Sequence, residues 1–140
     1  MLLFHAAAFV ARALILARSA GVSRFYWYAW DNMDMGLIEP GTQELKSAAQ
    51  AYDSVARWLT GNNLVDCNKA GTVWTCDLLL DNGHAAWIVW SDSDRGDQWK
   101  IPATFSVEAI EELDGTRTKP TASFVHLTGM PVLLRSLQTP

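Results

Sequence analysis

The 140-residue sequence predicts an α+β fold, with a helix–strand–helix segment over residues 1–61 and a small antiparallel β-sandwich over residues 62–140. Three observations support this prediction. Apolar residues recur at helical spacing in two segments, an apolar and aromatic run stands between those segments, and short strand-like runs alternate with turn residues after residue 62. Apolar residues make up 49% and charged residues 19% of the chain, which indicates a globular rather than a disordered protein.

The first helix is predicted over residues 4–19, where apolar residues follow one another at intervals of three and four. Gly21 comes next, at a position where the end of a helix favours a residue that tolerates positive φ. The run from Val22 to Trp30 is β-branched and aromatic and alternates only in part. That composition predicts a strand that is buried on both of its faces.

The first twenty residues also allow a second interpretation, that of a secretory signal peptide, because they are apolar and end in small residues. No basic region precedes the apolar run, however, and it is interrupted by His5, Arg12 and Arg18. The uninterrupted stretch is also too short to span a bilayer. An amphipathic helix is therefore favoured, and the localisation of the chain is left open.

The second helix is predicted over residues 43–60, with Gly41 or Thr42 as its N-cap. A loop with turn residues and no periodicity, residues 31–41, connects it to the aromatic run. Beyond the helix, turn residues such as Asp81-Asn82-Gly83, a strong hairpin signal, separate seven short apolar runs. These predicted strands are Leu64 to Asn68, Val73 to Leu80, Ala85 to Trp90, Thr104 to Val107, Ala109 to Leu113, Ala122 to Leu127 and Val132 to Leu137.

The charge pattern argues against several classes of partner and cofactor. The net charge is −4, the pI is about 5.2, and Lys and Arg nowhere form a dense cluster, so neither nucleic acid nor a membrane surface is expected as a partner. His5, His84 and His126 have no Cys, Asp or Glu at metal-ligand spacing. The sequence has no nucleophile elbow and no glycine-rich phosphate loop. No metal and no cofactor are therefore expected.

Three stretches follow one another in the first half of the chain: AAAFVARALILARSAGVSRFYWYAWDN, GLIEPG and LKSAAQAYDSVARWLTG. Their order and content resemble the last helix–strand–helix of clan A (β/α)8-barrel (TIM-barrel) glycoside hydrolases, and most closely bacterial members of the cellulase and xylosidase/iduronidase type. The later stretches WTCDLLLDNGHAAWIVW and MPVLL look like the small β-sandwich that follows the barrel in these enzymes. The likeness covers nearly the whole chain, and its most specific parts are YWYAWDN and AYDSVARWLTG.

The resemblance implies that residues 1–18 correspond to barrel helix 7, residues 23–30 to strand 8 and residues 43–60 to helix 8. Enzymes of this clan retain anomeric configuration with two Glu residues about 5 Å apart, placed after strands 4 and 7. Both positions would precede Met1, so no catalytic residue is expected in this chain, and no hydrolysis by the chain alone. A truncated reading frame or an isolated piece of an O-glycosidase, with carbohydrate as the partner of the parent enzyme, is the resulting expectation.

The resemblance also singles out residues at the end of the predicted strand, where barrel active sites form. A Trp at the position of Trp30 forms the floor of a sugar subsite in the family, whereas the alternative is a core Trp that closes the barrel mouth. Asp31 and Asn32 are candidates for hydrogen bonds to sugar hydroxyls, with simple turn chemistry as the alternative. Tyr28 shares the parity of Trp30 and is the fourth substrate-binding candidate, while Trp27 is expected to pack under a helix.

The remaining candidates are two carboxylates and two cysteines. Asp34 and Glu39 are interpreted as solvated loop residues, because nothing in the sequence indicates that their pKa values are pushed apart. Cys67 and Cys76 flank a predicted turn. A two-residue Ala70-Gly71 loop would make them diagonal neighbours on one face, and a four-residue loop would place them directly opposite each other. A disulfide is then geometrically allowed and would fit an exported enzyme, and two buried free thiols are the alternative.

Two other functions remain open from the sequence: a stand-alone carbohydrate-binding β-sandwich module, and a protein-interaction domain. The run over residues 22–30 discriminates between them and the barrel interpretation, because a barrel strand needs parallel neighbours on both sides that this chain does not contain. Without these neighbours, the exposed barrel surfaces are expected to favour self-association.

Overall fold

A computed structural model describes the backbone of residues 2–137 and the side chains of residues 5–137. Two helices, α1 (Leu2–Ser19) and α2 (Ser47–Leu59), contact each other and pack on one face of a β-sheet. The strands are β1 (Asn63–Ala70), β2 (Val73–Leu79), β3 (Ala85–Ser91), β4 (Asp97–Lys100), β5 (Val107–Glu111), β6 (Arg117–Thr118), β7 (Phe124–Leu127) and β8 (Val132–Ser136).

The strands form two antiparallel sheets. The larger sheet has six strands in the order β1-β2-β3-β8-β5-β6, and the smaller sheet pairs β4 with β7. Strand β3 is buried along six of its seven residues because the helices cover one of its faces and the smaller sheet covers the other. The predicted mixed α+β class with mostly antiparallel strands is confirmed.

Two layers of the hydrophobic core lie on the two faces of the six-stranded sheet, and a third, smaller cluster lies between α1, α2 and the segment that connects them. Side chains of α1 and α2 meet the first face, and the contacts include the fully buried Ile15 and Trp58 against Ile88 and Trp90. The second face packs against the smaller sheet. The predicted boundary at residue 61 stays a prediction, since the helices before it and the sheet after it share the first layer.

Residues 22–30 form no strand, and the prediction of a strand there is wrong for this chain. The segment runs irregularly between α1 and the loop that precedes α2, and Ala29 has a φ of 76°. The physical reason is that a barrel strand is held by hydrogen bonds to parallel neighbours, and both described sheets are antiparallel and lie elsewhere. The helix–strand–helix end of a barrel is therefore not formed by the described residues.

Several predicted boundaries also shift. Helix α2 begins at Ser47 rather than residue 43, because Gln43 has a φ of 64° and an isolated bridge joins Ile38 to Leu45 just before the helix. Pro102 begins a 3₁₀ turn where a strand was predicted from residue 104. The short strands β4 and β6 were missed. The hairpin turn at residues 81–83 is confirmed, with Leu80 pairing across it to His84 at 2.9 Å.

Candidate functional site

The predicted sugar-binding residues lie on and before a tight loop that leads into α2. The carbonyl of Trp30 accepts hydrogen bonds from the backbone N–H groups of Leu37 and Ile38 at 2.8 and 3.0 Å. The side-chain oxygen of Asn32 accepts the N–H groups of residues 34 and 35 at 2.9 and 3.0 Å. The turn chemistry that was the alternative for Asn32 is thus present, and its amide oxygen holds the loop in shape.

A half-buried lysine fixes this loop to the start of α2. The ammonium of Lys46 donates to the carbonyls of Asn32 and Met33 at 3.2 and 3.0 Å and lies 3.9 Å from a carboxylate oxygen of Glu39. Gly36 closes the loop, and a Cβ at this position would overlap the backbone of Asn32. The conformation after Trp30 is therefore determined by the loop itself and does not require a barrel.

The aromatic segment before the loop is largely exposed, and Phe25 on it is 37% exposed. Tyr26 and Tyr28 are each 80% exposed and Trp30 is 59% exposed; we call these three residues the aromatic face. Trp27, of opposite parity, packs edge-on against Phe9 of α1 with ring centroids 6.1 Å apart. Its indole N–H donates to the carbonyl of Met35 at 2.8 Å, and the predicted packing of Trp27 under a helix is confirmed.

Two of the clefts beside α1 are lined by both His5 and Arg12. The first, of about 460 Å³, lies between the helix and the loop and includes Trp27, Asp34 and Met35. The second, of about 530 Å³, lies between the helix and the sheet. None of the four residues that were predicted to bind sugar lines either of these two clefts. Tyr28, Trp30, Asp31 and Asn32 lie on an open, exposed surface instead.

The second cleft is held by a network centred on Asp92. The carboxylate accepts hydrogen bonds from Lys69 at 2.8 Å and from the indole of Trp74 at 2.9 Å, and it faces Arg12 of α1 at 3.6 Å. The hydrogen bond from Lys69 lowers the pKa of Asp92. Burial of the carboxylate raises this pKa in part, and the hydrogen bond from Trp74 lowers it further. Asp92 therefore stays ionised and connects α1 to the sheet.

Glu111 is a site that the sequence analysis did not single out. Among the described residues it is the one buried carboxylate, with 1% of its surface exposed. It accepts hydrogen bonds from Trp58 of α2 at 2.9 Å, from Arg117 at 2.9 Å and from Arg135 at 3.2 Å. Burial raises the pKa of Glu111, but the hydrogen bond from Trp58 and the charges of Arg117 and Arg135 outweigh burial and hold it below its usual value. Both carboxylate oxygens of Glu111 are occupied by these hydrogen bonds and the group is buried, so Glu111 acts as a structural anion.

The sandwich offers no planar exposed set of Trp side chains within the described residues. Trp90 is fully buried and stacks on Trp74 with centroids 5.5 Å apart. Trp87 is 9% exposed and stacks on Phe105 at 3.8 Å. These side chains belong to the core and its edge.

Cys67 and Cys76 stand directly opposite each other in β1 and β2 and form a disulfide, with Cα atoms 4.0 Å apart. The turn between these strands is Gly71-Thr72 rather than Ala70-Gly71, which moves the register by one residue on each side and makes the cysteines a direct pair.

In the part of the chain that is described, no group of three His, Cys, Asp or Glu side chains is arranged to hold a metal ion. Among the same residues, no helix has the length and apolarity to cross a membrane.

Comparison with known proteins shows a structural likeness but no sequence match. No family model and no curated protein matches the chain. Among solved structures, the chain is similar to a family 39 glycoside hydrolase from the gut symbiont Bacteroides cellulosilyticus WH2, with a TM-score of 0.74 and 20% sequence identity. The match covers 93% of this chain but 30% of that chain. At this identity the likeness shows the fold, and the chain spans less than a third of the enzyme that it resembles.

Proposed function

We propose that this chain is the C-terminal part of a retaining glycoside hydrolase, in which it contributes one wall of a sugar-binding site and a supporting β-sandwich, without hydrolysing glycosides by itself. The observation that carries the proposal is the structural likeness, since nearly all of this chain matches part of a glycoside hydrolase. The sequence stretches around YWYAWDN support it independently.

Within this proposal, Trp30 is the platform on which a sugar ring packs. Its indole is more than half exposed although its backbone is fixed by two hydrogen bonds, so the ring is presented at little cost in conformational entropy. Tyr28 extends the same side of the segment. Asp31 is exposed beside it and is assigned to sugar hydroxyls, while Asn32 contributes by holding the loop that positions Trp30.

We expect the intact chain to bind cello- or xylo-oligosaccharides weakly, and we expect Trp30→Ala to lower that affinity by about two- to twelvefold. An aromatic face contributes about 0.5–1.5 kcal/mol beyond area burial, which corresponds to this factor. Calorimetric titration or ligand-observed NMR gives the affinities. Phe124→Ala, at a side chain of similar exposure on β7, is the matched control and should leave binding unchanged. Equal affinities of the intact chain and Trp30→Ala would contradict the assignment.

A second experiment concerns catalysis. Asp31 belongs to the proposed site, and Asp34 and Glu39 are the next carboxylates along the chain. All three residues are exposed, and Glu39 is an ion-pair partner of Lys46. We therefore expect no turnover of aryl β-glycosides above buffer when the purified chain is assayed with a chromogenic leaving group. Saturable hydrolysis that is lost in Asp34→Asn or Glu39→Gln would show that the chain contains its own catalytic carboxylate.

A further inference from the structure

Two arginines of the six-stranded sheet meet at one oxygen of the buried Glu111 carboxylate. The Nε–H groups of Arg117 on β6 and Arg135 on β8 donate to Oε2 of Glu111 at 2.9 and 3.2 Å. Arg117 lies directly opposite Glu111 in the strand register, and Arg135 lies opposite Ala109, two residues earlier on β5. The three charged side chains therefore project from the same face of the sheet, and the two guanidinium groups are neighbours.

The positive charge of this arginine pair exceeds the negative charge that the fold supplies to it. Among the described residues, Glu111 alone forms ion pairs with Arg117 and Arg135. A third arginine, Arg57, lies 3.9 Å from Glu111 but is itself paired with Asp53 at 3.1 Å. The two guanidinium groups thus share a single carboxylate, which leaves an excess of positive charge on this face of a chain whose net charge is −4.

The terminal nitrogens of both guanidinium groups are open to a second anion. Each hydrogen bond to Glu111 uses the Nε–H, and no described residue accepts a hydrogen bond from the Nη groups of Arg117 or Arg135. The two side chains are 57% and 30% exposed, so their outer edges reach solvent. The buried carboxylate restrains the inner edge of each guanidinium, which lowers the conformational entropy that a ligand would otherwise have to remove on binding.

We infer that Arg117 and Arg135 form a binding site for a tetrahedral oxyanion, such as sulfate or phosphate. The planar fork of a guanidinium donates two parallel N–H groups to an oxyanion. A carboxylate fills one such fork with its pair of oxygens, whereas a tetrahedral anion has enough oxygens to fill both forks at once. Water and salt screen the site because both arginines are partly exposed, so we expect dissociation constants in the millimolar range. The inference does not depend on the proposed sugar-binding wall.

The first test is an NMR titration of the isotope-labelled chain with sodium sulfate, in which sulfate replaces chloride at constant ionic strength so that screening does not change. We expect the Nε–H resonances of Arg117 and Arg135 to shift saturably. The resonance of Arg95, an exposed arginine without an ion pair among the described residues, should not shift. Arg117→Gln should weaken sulfate binding by about tenfold because one fork is lost, and Arg95→Gln is the matched control with unchanged affinity.

A second variant separates anion binding from the support of Glu111. Arg117→Lys keeps a positive charge beside the carboxylate but has no planar fork, so we expect an unchanged melting temperature and about threefold weaker sulfate binding. A titration without saturation, an equal shift at Arg95, or an affinity that neither Arg117 variant lowers would overturn the inference.

The source of the anion is tested by comparing inorganic phosphate with a sugar phosphate ester at the same ionic strength. Tighter binding of the ester supports the site and assigns it to a phosphate group carried on a larger ligand. Equal or weaker binding of the ester supports the site and assigns it to the free ion.

Discussion

Replacing Glu111 by Gln is expected to lower the free energy of unfolding by about 2–3 kcal/mol. The carboxylate is buried and accepts hydrogen bonds from Trp58, Arg117 and Arg135, so its charge holds α2 and two strands of the sheet together. Loss of that charge leaves the arginines facing an amide. The loss is smaller than for a fully buried pair because the side chains of Arg117 and Arg135 are 57% and 30% exposed and regain water. Urea denaturation at neutral pH measures the difference.

The contribution of Glu111 should also depend on pH in a defined direction. Because the folded chain lowers the pKa of Glu111, its ionised form stabilises the fold above the unfolded pKa of about 4.3. That contribution is lost as the pH falls from this value through the lower folded pKa. The difference in unfolding free energy between the parent chain and Glu111→Gln should therefore be constant from pH 6 upward, roughly, and shrink below about pH 4.3.

The adjacent Glu112 provides the matched control. Burial of its carboxyl group and the negative charge of Asp114 raise the pKa of Glu112, so the fold favours its neutral form. Glu112→Gln should change the unfolding free energy by less than about 0.5 kcal/mol and in the stabilising direction if at all. Equal losses for Glu111→Gln and Glu112→Gln would contradict the role assigned to the buried cluster.

Reduction of the disulfide is the second large effect that we expect. Cys67 and Cys76 are separated by nine positions, and the loop-closure relation gives about 2–3 kcal/mol for a loop of this size. Cys76 is fully buried in the layer between the helices and the sheet, so the loss should reach beyond the β1–β2 hairpin. The midpoint of thermal unfolding should fall when the chain is treated with a thiol reductant.

The control for this experiment is the double variant Cys67→Ala/Cys76→Ala, whose stability should not respond to the reductant. If the parent chain and the double variant respond equally, the reductant acts elsewhere or the disulfide does not contribute to stability. A parent chain that shows two reactive thiols before any reductant is added would contradict the disulfide itself.

Local patterns in the sequence were sufficient where neighbouring residues decide the structure. Helix α1 and helix α2 follow from the spacing of apolar residues, and the hairpin at residues 81–83 follows from its turn residues. The predicted difference between Trp27, which packs on α1, and the exposed Tyr28 and Trp30 also holds, although Phe25, of the same parity as Trp27, is exposed. The α+β class required nothing beyond these patterns.

Tertiary structure decided the features that depend on distant partners. Residues 22–30 have the composition of a strand, yet a strand exists only where neighbouring strands bind its backbone, and this segment has none in the described chain. Glu111 had no recognisable signal because its partner Trp58 lies 53 positions away and Arg135 lies 24 positions away. The sequence alone therefore determined the elements with local periodicity and the aromatic face of residues 26–30. The tertiary structure alone decided which segment stays unpaired and where a charge is buried, because both are set by contacts between residues far apart in the chain.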